Sequence, residues 1–381
     1  MLSSQRALFD IPADVCFLNA ASYSPLPLKT LEAGRRAVGR KGRPWELDAA
    51  FASEQYERTR KAAARLINAD PFDVALVSSI SYGVATAAKI LTVPAGSRVL
   101  VLEDDHSSPV LEWLTSQQAG GFTVETVKKP GNGDWTEGVL AAVERAGAAL
   151  ALASISSVHW ADGGVVDLDR VVPAVRARGG AMLIDATQGA GVIALDVRKL
   201  DPDFVAFPTY KWLLGPYGRA FLYVAKRHQG GIPLEQTSYG RRGVRSDRAP
   251  YLGDTRFVDD ARRFDMGERD FFISLEMAAI GMEMMAEWGA PAVAARLAVL
   301  TGRLADALRG RLDFPDARLR APNILSLRFK DGMPDGAIER LATENVHVAP
   351  RLGRMRVSPH VYNDEADIDR FIEVFQRLRL G

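Results

Sequence analysis

The chain has 381 residues, of which 47% are hydrophobic and 25% charged, enough for one large domain and a smaller one. Its 48 Lys and Arg against 47 Asp and Glu leave a formal charge of +1, which supplies no field for holding nucleic acid or an anionic membrane. The single cysteine, Cys16, excludes an internal disulfide and any multi-cysteine metal cluster.

The amino-terminal segment MLSSQRALFDIPADV lacks the unbroken apolar core of a signal peptide, and no run approaches about 18 apolar residues, so a cytoplasmic protein is expected. Between residues 74 and 225, short apolar runs alternate with segments of helical period: VALV at 74, RVLVLE at 98, ALALASI at 149, AMLID at 181, DFVAF at 203 and AFLYV at 220. Runs apolar on both faces are what parallel strands sandwiched between helices require. The fold class expected is α/β with a mostly parallel sheet, and ligands should sit outside the carboxyl ends of its strands. Downstream, SLEMAAIGMEMMAEWG (274–289) and PAVAARLAVLTGRLADALRGRL predict two helices, the first closed by Gly289 with Pro291 close behind. The last 60 residues predict a strand NILSLRF, a helix around 336–345, a strand RMRVS and an amphipathic helix starting near Asn363 with an acidic first turn. The expected organisation is a large domain over 14–270 and a small α+β domain formed by 1–13 and 271–381, packed together because no flexible linker separates them.

Two segments carry chemistry. In DFVAFPTYKWLLGPYGRAFLYV an apolar strand runs directly into Lys211 before a Gly-Pro turn. A lysine at a strand end, if buried, loses its proton readily and becomes the nucleophilic amine that Schiff-base chemistry needs; the plainer reading is a surface lysine beside a turn. In AMLIDATQGAG, Asp185 closes another apolar strand, where a carboxylate needs a cationic partner such as a protonated pyridine nitrogen, or else caps a following helix. Gln188, three residues on, could hydrogen-bond the phenolic oxygen of that ring.

Asp185, Gln188 and Lys211 stand in an order and spacing that resembles the class V aminotransferase family of fold-type I pyridoxal 5'-phosphate (PLP) enzymes. The resemblance implies a seven-stranded sheet between helices, PLP carried on Lys211 and a homodimer with its site at the interface. FLNAAS at 17 resembles the family's substrate-facing segment and would place Asn19 and Ala20 beside the site. SSISYGVATA at 78 is similar to the turn and helix start that hold the phosphate, with Ser81 as the phosphate-binding hydroxyl and Tyr82 and Gly83 beside it. His106, in LEDDHSSPVLEW, resembles the residue that stacks on the ring and offers an acid/base nitrogen; as a lone histidine it reads as a solvated loop residue. His159, in SSVHWADGG, follows a strand and is expected to face the crevice and touch cofactor or substrate. Arg356, in RVSPHVYNDEADIDRF, stands where the family grips the substrate's α-carboxylate.

The chain departs from the family pattern in two places. No cysteine and almost no loop lie between His347 and Arg356, which removes the persulfide route of the desulfurase branch. Pro208, Thr209 and Tyr210 replace the small or serine residue and histidine that often precede the lysine, leaving Thr209 and Tyr210 as candidate phosphate contacts. YGRRGVRSDR (239–248) falls outside the pattern and reads as a solvated loop, or as a reader of a second acidic group on the substrate. RRFDMGERD (262–270) falls where family members cross a dimer interface, so Gly267 and Glu268 are expected at the partner's cofactor.

The activity expected is removal of an amino acid's α-proton, with Lys211 as base and His106 and Asp185 in support. Transamination stands first, ahead of carbon-sulfur β-elimination and epimerisation, and nothing in the sequence selects the substrate side chain. A nicotinamide-dependent oxidoreductase, the rival on a similar sheet, lacks a G-x-G-x-x-G after any apolar strand.

Overall fold

The computed structural model describes residues 2–381. Seven strands form the central sheet: β1 (Val74–Val77), β2 (Arg98–Leu102), β3 (Thr123–Val127), β4 (Leu150–Ser156), β5 (Ala181–Asp185), β6 (Phe204–Pro208) and β7 (Ala220–Val224). Their spatial order is β1-β7-β6-β5-β4-β2-β3. Strands β2 to β6 pair in parallel, and β7 runs antiparallel to both of its neighbours.

All six apolar runs of the sequence are strands. The seventh, β3, has the sequence TVETV and pairs only with β2 at the sheet edge, where four of its five residues remain at least partly exposed. This edge is left open to solvent, so β3 shows no apolar run to find, whereas β1 at the other edge is covered by residues 265–266 and is wholly apolar. Along β1, Val74 and Leu76 face one core while Ala75 and Val77 face another, so helices must cover both sides. The helices Ile80–Ile90 and Ser107–Gly120 cover the second face through Val84 and Trp113.

Because β2, β4, β5 and β6 run in one direction, Leu102, Ser156, Asp185 and Pro208 end on the same edge. The loops that follow bring His106, Trp160, Gln188 and Lys211 to that edge.

The carboxyl-terminal part adds an antiparallel sheet of β8 (Leu325–Leu327), β9 (Ala349–Arg351) and β10 (Arg354–Val357), with β10 in the middle. Leu352 and Gly353 join β9 to β10 with φ of 48° and 74°, the left-handed pair that a tight two-residue hairpin turn needs. The final helix, Glu365–Arg377, begins with a capping box between Asp364 and Asp367 and buries Ile368, Phe371, Val374 and Phe375. Cys16–Phe17 pairs in parallel with Val346–His347, and Asn19 bridges to Ser358, so the start of the chain lies against its end beside β10.

A buried ion pair fixes the segment after residue 260. Asp265 takes both arms of Arg60, at 3.0 and 2.8 Å, and also accepts the Leu76 amide at 2.9 Å. Both side chains are wholly buried. Met266 then donates to the Leu76 carbonyl, which ties 265–266 to β1. Asp265→Asn leaves the Arg60 charge buried without its counter-ion, and we expect a loss of about 3–5 kcal/mol in urea unfolding. A loss below about 1 kcal/mol would mean that Glu57, 3.2 Å from Arg60, suffices as its partner.

Candidate active site

The turn after β6 is built to hold Lys211 still. Thr209 is fully buried; its amide donates to the Arg219 carbonyl at 3.0 Å, its carbonyl accepts from Gly215 at 2.9 Å and its hydroxyl donates to the Pro216 carbonyl at 2.6 Å. A side chain at Gly215 would place Cβ 2.7 Å from that of Thr209, which is why the turn closes only with glycine there. Thr209 was expected to contact phosphate, and the structure corrects this: with its hydroxyl committed to a carbonyl, it staples the turn. Lys211 is 7% exposed. Burial pushes its amine down to about 7, the Arg356 and Arg351 charges push the same way, and Asp185 opposes them. The Tyr210 ring stands 5.4 Å from Lys211 Nζ and packs with Tyr217 and Tyr23 as an aromatic wall.

Asp185, at the end of β5, is 2% exposed. Its Oδ1 accepts the Thr187 amide at 2.8 Å, a tight turn rather than the cap of a helix, since no helix follows directly. Burial pushes its carboxyl up, against the Thr187 hydrogen bonds and the charges of His106 and Lys211. Gln188 Nε2 donates to the Ala21 carbonyl at 3.2 Å while Oε1 accepts from the Trp212 indole at 2.7 Å. It thereby links the amino-terminal segment to the residue after Lys211.

His106 caps the helix Ser107–Gly120, its Nδ1 accepting from the Ser108 amide at 3.4 Å, and its ring meets Trp160 edge-on. Burial pushes its pKa down, with Lys211, Arg351 and Arg356 in the same direction and Asp185 opposing. Its place is set by Asp105, which accepts the His106 amide at 2.7 Å and grips the Ser156 amide and hydroxyl at 3.1 and 2.7 Å. Burial raises the Asp105 carboxyl to about 6.

Ser81 Oγ lies 3.0 Å from Ser108 Oγ, so the starts of two helices converge and both dipoles favour an anion between them. Their neighbours diverge. The Tyr82 phenol faces Glu235, which also accepts from the Gly267 amide, and Glu268 is exposed with φ of 55°. Gly83 turns away from the helix end: a Cβ there would touch Leu222 and Ala206 of the sheet at 3.4 and 3.5 Å. It seats the helix on the sheet.

His159 follows the strand Leu150–Ser156 and is buried. Its ring stacks on Trp135 at 5.0 Å, Nε2 lies 3.2 Å from the Glu103 carbonyl and Nδ1 3.2 Å from Asp162 Oδ1. With one ring face on Trp135, Nε2 at a carbonyl and Nδ1 within ion-pair distance of Asp162 but without a hydrogen bond, it ties the loop to the end of the strand Arg98–Leu102. The residue that reaches the site from this loop is its neighbour Trp160, whose carbonyl accepts from Arg356 at 2.7 Å. Of the four arginines of 241–248, Arg242 pairs with Asp259 and Arg245 with Asp247 at the surface, while Arg241 bonds Gln236 and the Thr237 and Thr255 carbonyls.

Opposite Lys211, Arg356 is 1% exposed and donates to Ser22 Oγ at 2.8 Å; its Nε is buried without a partner. Asn19 Oδ1 is likewise buried and unpartnered, and the Ala20 amide donates to the Ser358 carbonyl at 3.0 Å. Among the described residues no group of His, Cys, Asp and Glu is placed to hold a metal ion, and no helix is long and apolar enough to cross a membrane.

A near-neutral buried lysine, a buried carboxylate without an ion pair among the described residues, and an anion cradle at two helix starts match the aldehyde, ring nitrogen and phosphate of PLP. On a mostly parallel seven-stranded sheet they define an α/β enzyme of fold type I. The family model for class-V aminotransferases matches residues 38–371, and the chain belongs to that family of enzymes. It is 26% identical to isopenicillin N epimerase of Streptomyces clavuligerus, over 95% of this chain and 94% of the relative. It is also 26% identical to an uncharacterized aminotransferase, YcbU, of Bacillus subtilis, over 87% and 85%. The fold superposes on an apo cysteine desulfurase from Thermococcus onnurineus with a TM-score of 0.84, at 19% identity over 98% of this chain and 96% of that one. A variant of the cystine C-S lyase C-DES, with glycine covalently linked to its PLP cofactor, matches with a TM-score of 0.84 and 19% identity over the full length of both chains.

An amine held at about 7 instead of 10.5 loses its proton in a pH range of its own. In cofactor-free protein we expect Lys211 to acetylate with a midpoint near pH 7, read by mass spectrometry, and the midpoint to rise in Arg356→Gln. From about pH 7 to 10.5 the unfolded chain binds more protons at this position, so its contribution to stability rises with pH across that window. A midpoint above about 9 would show a hydrated, ordinary lysine.

Proposed function

We propose that this enzyme is a PLP-dependent aminotransferase acting on an amino acid, with Lys211 holding the cofactor's aldehyde carbon. One observation carries the reading: Lys211 and Asp185 are buried at one edge of the sheet, each feels the other's charge, and the amine is already near neutral. In this reading Asp185 pairs with the pyridine nitrogen, and Ser81 with the first-turn amides takes the phosphate. His106 covers the ring, Tyr210 flanks the amine, and Gln188 turns its remaining N–H toward the phenolic oxygen. Asn19 and Ala20 border the substrate, and the Arg356 fork takes its α-carboxylate. When bound, the cofactor withdraws electron density from the α-carbon of the amino acid attached to it.

Lys211 Nζ takes the proton from that carbon, and the buried charge of Asp185 holds the proton on the ring nitrogen. Returning the α-proton on the same face, one atom along, needs only the same amine, which is the proton machinery of amino-group transfer. Inversion at the α-carbon needs a donor on the other face; the Nδ1 of His106 accepts the Ser108 amide, so Nε2 is the ring nitrogen left for that task, and epimerisation stays the second reading. A persulfide route lacks a nucleophile: Cys16 is buried, its thiol donates to the Asp367 carbonyl at 3.1 Å, and burial pushes its pKa far up. We assign Glu268 and Gly267, on the segment pinned by Asp265, to the partner's cofactor in a homodimer.

Lys211→Ala should yield no borohydride-fixed cofactor adduct, and an undiminished adduct would reassign the lysine. Asp185→Ala should lower turnover by on the order of 100-fold or more with the adduct still formed. With a panel of amino acids, keto acid should appear only when an acceptor keto acid is supplied; acceptor-independent keto acid with ammonia and thiol would make the enzyme a lyase.

A further inference from the structure

The site holds one more cation than the proposed reaction uses. Arg351, at the end of β9, donates to Ser22 Oγ at 2.7 Å, the same oxygen that takes Arg356 at 2.8 Å. Its guanidinium also stands over the Trp160 ring at 5.7 Å, and its other contact is the Pro350 carbonyl. Two guanidinium groups thus converge on a single neutral hydroxyl, with no carboxylate within ion-pair distance of either among the described residues. Arg60, Arg296 and Arg58 are matched by Asp265, Glu365 and Glu283, and Arg219, buried without a carboxylate, spends its guanidinium on the Ser274 hydroxyl and the Arg269 and Phe271 carbonyls with no second arginine on the same acceptor. A buried guanidinium with a second one beside it is costly unless an anion joins them, and here Arg356 is buried while Arg351 is partly solvated. The strain shows in the Arg356 guanidinium, which burial and the neighbouring Arg351 push down to about 9.

The hairpin explains the placement. Arg351 pairs across β9 and β10 with Arg354, and Arg356 with Ala349, so the rigid two-residue turn carries both arginines on one frame. Arg356 is buried, and Arg351 is half-exposed. A substrate with one carboxylate neutralises Arg356 and leaves Arg351 unmatched; a second carboxylate on the side chain neutralises both.

We infer that Arg351 is a second anion-receiving group, so that the preferred substrate is an amino acid whose side chain carries its own carboxylate. The inference rests on the assignment of Arg356 to the α-carboxylate made above. It also moves the reading of a second acidic group away from 241–248, where Arg242 and Arg245 already have carboxylate partners.

Calorimetric titration of the holoenzyme with succinate and with propionate tests this without turnover. Succinate should bind about tenfold or more tightly than propionate. Arg351→Gln should remove that preference and leave propionate binding unchanged, and Arg351→Lys should restore part of it. Equal weakening of both acids in Arg351→Gln would mean that one carboxylate bridges both arginines, and the inference would fail, as it would if succinate bound no better than propionate in the unaltered protein. The borohydride adduct on Lys211, measured on the same samples, reports separately on the proposed function.

Discussion

The site depends on removing water from one amine and one carboxylate at the same sheet edge. Lys211 and Asp185 each cost free energy to bury in charged form, and their environments shift both toward neutrality. Neither shift would survive if the turn after β6 opened to solvent. Thr209 and Gly215 keep it closed with backbone and hydroxyl hydrogen bonds, while Gln188 ties the neighbouring Trp212 to the amino-terminal segment.

Around this pair, charge is arranged by distance along the chain. Arginines from a hairpin near residue 350 face a lysine at 211 and an aspartate at 185, and a serine at 22 holds the arginines in register. The aspartate side gathers negative charge, since Asp105 stands near Asp185 and is itself pushed up by burial. The opposite wall is cationic. In the proposed reading, an amino acid that enters carboxylate first meets the field of the arginines and presents its amine toward Lys211.

Much of the architecture was legible without coordinates because parallel strands must be apolar on both faces. That requirement marks β1, β2, β4, β5, β6 and β7, and it marks Lys211 and Asp185 as polar residues where such runs stop. It does not mark β3, which is half-solvated. Nor does it say what a loop residue touches. His159 looks, from its strand-end position, like a ligand contact, yet Trp135 from the helix Trp135–Glu144 takes its ring face. Thr209 beside the lysine looks like a phosphate donor, yet the carbonyl of Pro216 is nearer to hand.

By itself the sequence determined the α/β class and, through its resemblance to a family, named the lysine, carboxylate and arginine that the proposed function uses. Those follow from local composition and chain order. Only the tertiary structure decided that Trp160 and Ser22 join Arg356, that Arg351 shares its anchor, and that Thr209 staples the turn before Lys211. The arginine contacts are made between segments hundreds of residues apart, where no periodicity along the chain records which loops will meet.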